Sequence, residues 1–526
     1  MIFFKRKIVL RLILAVIVPG LLLIIFSSIF IEPWIRNKIV KTLNHENRKF
    51  TVEIDKVHIL IALPGIALEG ITIQSKPQHD APGNLKGKIT SIQLKGIKLS
   101  KILFGNVFYI KNVIISNVSV YSKLPLSPEK STPIVSAFNI QVKNMYFDKI
   151  NLIIENNLNS QAYSLKDGFL TIYDLKIDKK DTLLPGVVEK IDFKAKTFSS
   201  VSADSMYSYS ANGIYYASGS NRLEVNRLSI QPNYKDYDFT SRYRFQTDRF
   251  EGVFENLLAL GFNIHDYLAK GSLISSSIEI MNADIKVFRD NRREKSHAVK
   301  RVFQDMIYDY SDAIQIDSIG IGNGNIIYTE HAEDANDPGF ISFNEMNVKI
   351  YNVTNNIIYK TDTIFLEIKG NALLMGKGRL YVLLKAQVFD SQNTFTLNGT
   401  LSEMEADELN PILGKIAFMY ITSGTIEAID FNFTADNTNA NGHLTLLYNG
   451  LKIAVKNKRT DNTTAIKERM VSFIVNQKVM NSNPLPGKEV RTGIINYDRD
   501  PEKFIFNYVV KSILTGINSS LQKNQK

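Results

Sequence analysis

The nearest approach to a phosphate-binding loop in this chain is Gly370-x5-Gly376-Lys377. Such a loop cradles phosphate with backbone N–H groups and then supplies Lys followed by Ser or Thr. Here the spacing is one residue too long and Gly378 stands where the hydroxyl belongs. Gly320-Ile-Gly322-Asn-Gly324 follows a strand pattern but runs on into Ile326-Ile327-Tyr328, more strand, so no helix N-terminus would meet a pyrophosphate. Of seven histidines only His331 has acidic company, in Glu330, Glu333, Asp334 and Asp337, and their spacing matches no metal loop; an acidic turn is the reading. With no cysteine, disulfides, thiolate metal sites and a Cys nucleophile are excluded. No G-x-S-x-G or H-E-x-x-H constellation occurs. The expectation is a protein that is not an enzyme and carries no cofactor or metal.

Charge points away from nucleic acid as well. The net +11 is spread along the chain, which suits anionic surfaces such as lipid headgroups. The one dense basic run, Arg289 to Lys295, lacks interleaved aromatics and reads as a solvated connection into an amphipathic helix over 296–310.

The elements around this missing chemistry begin with Leu12 to Ile31, twenty residues without a charge. As a helix they extend about 30 Å, the thickness of a bilayer's hydrocarbon core. The run is too long for a signal-peptide core and lacks a small-x-small cleavage site, so it reads as a transmembrane anchor. Lys5, Arg6, Lys7 and Arg11, dense and unopposed, favour a cytoplasmic tail 1–11 with the rest of the chain on the far side of the membrane, although Arg36, Lys38, Lys41, Arg48 and Lys49 beyond the span mean that counting basic residues alone does not orient it. Past Pro33, Ile35, Ile39 and Leu43 recur every four residues among Arg36, Lys38 and Lys41. That period predicts an amphipathic helix in 32–49, lying on the membrane surface.

From Phe50 the period becomes two, as in strands with one apolar face. One unit returns, apolar-x-[Gly/Asn/Asp]-apolar-x-apolar: Leu68 to Ile73, Leu94 to Leu99, Ile110 to Ile115, Val142 to Phe147, Ile172 to Ile177 and Ile280 to Ile285. Its first apolar residue has the wrong parity for the face used by the last two, and a β-bulge at the Gly/Asn/Asp position would restore it. The expected fold is mainly β: the anchor, then an elongated, bulged antiparallel β-sheet groove with a few amphipathic helices. Regions follow as 50–250, 251–455 with the helix at 296–310, and a C-terminal helix-strand-helix segment over 456–526. That last segment has helices near Ala465 to Val479 and from Phe504 to about Leu521, with a strand at Val490 to Tyr497 between them.

The anchor, the helix, the strand pair Val57 to Ile73 and the repeated L-x-G-I-x-L unit together resemble the AsmA-like family of envelope proteins. So do Leu409-Asn410-Pro411, Asn483-x-x-Pro486, Arg491-x-Gly493, Arg499-Asp500 and Phe506-x-Tyr508-x-x-Lys511-Ser512-x-x-x-Gly516. The resemblance implies a single-pass protein of the bacterial inner membrane whose periplasmic body moves phospholipid toward the outer membrane. Parity then selects Ile71, Ile73, Ile97, Leu99, Val113, Ile115, Leu175 and Ile177 as one apolar wall for acyl chains. A closed sandwich is the competing architecture, and a scaffold for outer-membrane protein insertion is the competing function. In the closing helix, Phe506, Val509, Val510, Ile513 and Ile517 follow helical spacing, and the apolar surface is wider than one docking stripe. That makes them candidates for contact with an outer-membrane partner, against the alternative of an end cap.

Overall fold

The computed structural model describes residues 25–44, 50–60, 63–76, 85–98, 100–101, 107–124, 139–156, 161–177, 188–359, 364–455 and 479–522. Outside them fall the tail 1–11, residues 12–24 of the expected span, Leu99 and all but Val479 of the helix expected over 465–479. The described chain is mainly β, its twenty strands belonging to one hydrogen-bonded sheet. It divides into two compact units, Met1–Ser205 with Ser210–Gly219, and Met206–Tyr209 with Ser220–Lys526.

In the first unit, helix α1 (Glu32–Leu43) precedes β1 (Phe50–Leu60), β2 (Gly65–Ser75), β3 (Leu85–Ile97), β4 (Val107–Leu124), β5 (Asn139–Asn156), β6 (Ala162–Ile177) and β7 (Lys190–Val201). Each strand pairs with the next, antiparallel except for the parallel pair β4 and β5. A parallel pair needs a connection of about a dozen residues or more, and the sequence interval between Leu124 and Asn139 is long enough for one; the expectation of an all-antiparallel sheet is corrected here. Strand β8 (Tyr207–Ala217) straddles the division.

The repeated unit changes face, but by a different device from the one its parity suggested. Gly70, Gly96 and Asp174 do take left-handed backbone, with φ of 63°, 71° and 51°, whereas Asn112, Asn144 and Asn282 do not. At Gly70 no residue is inserted: β1 and β2 both skip one bridge, Asp55 opposite Gly70, and resume in the same register. A bulge would put two residues against one. Here both strands change phase together, so Ile54 and Val57, three apart, are both buried, and opposite them Ile71 is buried and Leu68 half-buried on the same face. The skipped positions continue from strand to strand. One row runs through Asp55, Gly70, Thr90, Asn117 and Lys149, and another through Gly96, Lys111, Lys143 and Asp174. Asn117 and Lys149 are themselves left-handed. At Gly70 the reason for glycine is steric as well, since a Cβ would fall on the Asp55 carboxylate.

The second unit runs β9 (Arg222–Pro232), α2 (Asp236–Ser241), β10 (Asp248–Leu260), α3 (Ile264–Lys270), β11 (Leu273–Asp290), α4 (Phe303–Tyr308), β12 (Ile314–His331) and β13 (Gly339–Thr354). Then come β14 (Leu366–Leu374), β15 (Gly378–Ala386), β16 (Phe395–Leu401), β17 (Met404–Glu405), α5 (Asn410–Ile416), β18 (Met419–Ala435), β19 (Asn439–Val455), β20 (Thr492–Asp498) and α6 (Ile505–Leu521). Neighbours pair in order from β9 to β16, β16 and the short β17 both pair with β18, and β18 to β20 follow; the exception to antiparallel pairing is the parallel β11 and β12. Of the helix expected over 296–310, only Phe303–Tyr308 forms. The Lys300 N–H donates to Pro501 O at 2.7 Å and Lys300 O accepts from Arg499 at 2.8 Å, so tertiary contacts take the backbone groups a longer helix would use.

The two units bury their apolar faces differently. In the second, the face of β15, β16, β18 and β19 carries Leu384, Leu397, Phe431, Phe433 and Leu444, all buried, and Phe303, Ile307, Leu413 and Ile513 of α4, α5 and α6 pack against it. Helix α6 comes closest, because its buried residues, Tyr508, Ser512, Gly516 and Ser520, recur every four positions and are mostly small. A Cβ on Gly516 would stand 2.8 Å from Leu444 Cβ, and one on Gly493 would collide with Gly516 O.

Candidate functional site

Strands β3 to β6 carry the face on which most of the candidate wall residues lie. The register sets Leu94, Val113, Met145 and Ile172 in one row across the four strands, and Ile97, Ile110, Val142 and Leu175 in the next. At about 4.8 Å between strands each row spans about 14 Å. Both rows share one face only because the phase change at Gly96, Lys111, Lys143 and Asp174 lies between them. Polar groups of that step pair on their own account: Lys143 Nζ lies 2.7 Å from Asp174, and Asn144 donates to Asn112 at 3.0 Å. The hydrogen bond from Lys143 holds the Asp174 carboxyl below its usual range.

Ile110, Val113, Val142 and Leu175 are buried, while Leu94, Ile97, Phe108, Ile115, Ile140, Met145, Ile172, Ile177 and Val188 around them are half-buried. The described buried and half-buried apolar side chains of this cluster all come from β3 to β6, Val188 excepted. The structure therefore brings together Ile97, Val113, Ile115, Leu175 and Ile177 of the expected wall. Leu94, Ile110, Val142 and Ile172 join them without having been selected. They are the first positions of the same repeated unit, and the face change that legitimises them was itself legible in the spacing.

Ile71 and Ile73 belong to a separate cluster with Ile54 and Val57, and this one is covered. Ile35, Ile39, Val40 and Leu43 of α1 lie on it. The helix is pinned along β1: Glu32 accepts from Ile59 N–H at 2.9 Å, Arg36 donates to Ile54 O, and Asn44 bonds both N–H and C=O of Val52 at 2.6 Å. Those side chains satisfy edge groups that an unpaired strand would leave open. The apolar stripe expected to lie on a membrane surface is thus spent on the sheet. What remains apolar and outward is the preceding stretch and its neighbour, with Ile25, Phe26, Ile29, Phe30 and Trp34 each more than half exposed. Residues 25–31 are helical, and among the described residues no helix is long and apolar enough to cross a membrane.

The closing helix uses most of its apolar surface in docking. Val509, Ile513 and Ile517 pack against the second unit's core, and Val510 is half-buried. Phe506 stays 52% exposed, its ring 6.3 Å from that of Tyr328.

The residues first inspected for chemistry have structural surroundings. Gly376 and Met375 form the left-handed turn between β14 and β15, and Gly320 to Gly324 lie within β12. His331 is buried, with Nδ1 at 2.8 Å from the Tyr237 hydroxyl and Nε2 at 2.9 Å from Ala335 O, so both ring nitrogens are engaged. Among the described residues no group of His, Asp and Glu is arranged to hold a metal. No family model and no curated protein matches the chain.

Proposed function

We propose that this protein is a single-pass, inner-membrane-anchored member of the AsmA-like group whose periplasmic β-groove carries phospholipid between inner and outer membranes, supporting outer-membrane biogenesis. The observation that carries the reading is the β3 to β6 face: two rows of aliphatic side chains kept on one side by paired face changes, four of them buried and four half-buried, with no described helix packed on them. A contiguous apolar surface of this kind needs an apolar occupant, and acyl chains fit a strip with no polar group along it. The exposed apolar residues from Ile25 to Trp34 suit a helix emerging from a bilayer. Phe506, with Val510 beside it, is the candidate for the contact with an outer-membrane partner.

Photo-crosslinking residues at Ile97 and Ile115 should capture phospholipid in cells, whereas the same group at Tyr146 or Lys176, each next in sequence to a wall residue and so on the other face, should not. Capture of another strand of the same chain from Ile97 and Ile115, with no lipid, would mean a closed core and overturn the proposal. A reporter at the C-terminus active only outside the cytoplasm would support the orientation.

A further inference from the structure

The opposite face of the second unit carries a trough of about 620 Å³ across β11 to β18. Asn371, Tyr381, Thr400 and Asp430 face one another in unbroken register on four adjacent strands, β14, β15, β16 and β18. Val382 and Phe431, one position along, point into the helix-covered core, so these four project the other way. Tyr381 is 48% exposed, and Thr400 and Asp430 are exposed too. Among the described residues no side chain or backbone group hydrogen-bonds or pairs with the side chains of the four. The trough thus presents an amide, two hydroxyls and a carboxylate, one about every 4.8 Å over about 14 Å, beside a flat aromatic ring.

We infer that this row is a binding site for an oligosaccharide. Vicinal hydroxyls both donate and accept, and the row offers both kinds of partner, with Asp430 free to accept from two hydroxyls. The Tyr381 ring supplies the apolar surface against which the C–H face of a pyranose lies. Other ligand classes fit less well. A phosphate-rich ligand needs unpaired cations, but Lys349 is held by Glu279 at 2.6 Å and Lys369 is paired with Glu367, while Asp430 is a bare carboxylate. An added peptide strand needs a free sheet edge, whereas these strands are hydrogen-bonded on both sides. An acyl chain would strip water from four polar groups and give nothing back. The site stands independently of the lipid reading, since it lies in the other unit and uses other residues.

The test titrates the full chain, in a detergent without a sugar headgroup, with chitotetraose and with maltotetraose. Saturable binding of at least one is expected, weakened roughly tenfold or more, about 1.4 kcal/mol, by Tyr381→Ala and by Asp430→Ala. Ile494→Ala, an exposed position on β20, should leave binding unchanged. Melting temperatures should match the parent for all three, because the positions are exposed. Saturable binding of neither sugar, or binding that survives both substitutions, overturns the inference.

Discussion

The apolar faces of β3 to β6 and of β15 to β20 are both built by alternation of apolar side chains, yet on the first only Ile110, Val113, Val142 and Leu175 are buried and the rest half-buried, whereas the second is sealed beneath helices. The difference is the helices. Helix α6 can approach β19 and β20 closely because Gly516 lies against Leu444 and Ile495, and Gly493 against Gly516 and Ser520, while α4 and α5 cover the strands before them. Over β3 to β6 the described neighbours are strands. Alternation therefore builds a face, and small residues on a following helix decide whether that face becomes a core.

The largest test of that contrast is a buried charge. Leu444→Asp, at a fully buried position beneath α6, should unfold the C-terminal unit, because an unpaired charge in a packed core costs several kcal/mol. Ile97→Asp should leave the protein folded by circular dichroism and protease resistance while lipid capture from Ile115 is lost. Equal unfolding by both would erase the distinction.

Cavity formation should rank next. Phe433→Ala should cost about 3–5 kcal/mol in denaturant unfolding, since Phe433 is buried against Phe395 and its neighbours. Ile115→Ala, half-buried, should cost about 1–2 kcal/mol, below the range for a sealed site. An Ile115 value as large as that of Phe433 would mean its face is packed as tightly.

Acid should sharpen the comparison further. Burial alone would raise the Asp290 carboxyl, but hydrogen bonds from the Arg292 side chain and backbone outweigh it and hold it low; Arg292 Nε sits 2.8 Å away. A carboxyl depressed in the folded state stabilises above the unfolded value, about 3.9, and that contribution is lost as pH falls through the lower folded value. Melting of the parent should therefore hold until below about pH 4. With Arg292→Ala, burial of Asp290 is no longer offset, so the variant should be less stable than the parent at neutral pH, and the part of the acid loss that belongs to Asp290 should vanish or reverse, because a carboxyl raised in the folded state gains stability as pH falls. The pair of Lys143 with Asp174 is more exposed, so Lys143→Ala should move the acid profile less.

The smallest effect concerns the transverse rows. Lys149 takes left-handed backbone at φ 52°, a conformation costing most side chains about 1–2 kcal/mol and asparagine less. Lys149→Asn should stabilise the first unit by up to about 1 kcal/mol. A loss instead would mean that the lysine side chain, rather than its backbone, matters there.

Much of the fold was legible because it rests on local rules. Period two marked the strands, and the three-residue spacing of Leu68 with Ile71, Leu94 with Ile97 and Leu175 with Ile172 announced that faces change. The closing helix was found nearly to its ends. The form of the face change was not legible, since whether one strand takes an extra residue or both change phase together depends on the partner strand's sequence. Nor was the parallel pairing of β4 with β5 and of β11 with β12, which long connections permit without requiring.

For the candidate site, sequence parity by itself determined that Ile97, Val113, Ile115, Leu175 and Ile177 share a face. Only the tertiary structure decided that Ile71 and Ile73 lie beneath α1, that Val509, Ile513 and Ile517 are consumed in docking, and that the free polar row from Asn371 to Asp430 exists at all. Those outcomes depend on which segments, distant in sequence, meet across the sheet, and side-chain period along one strand carries no information about what faces it from another.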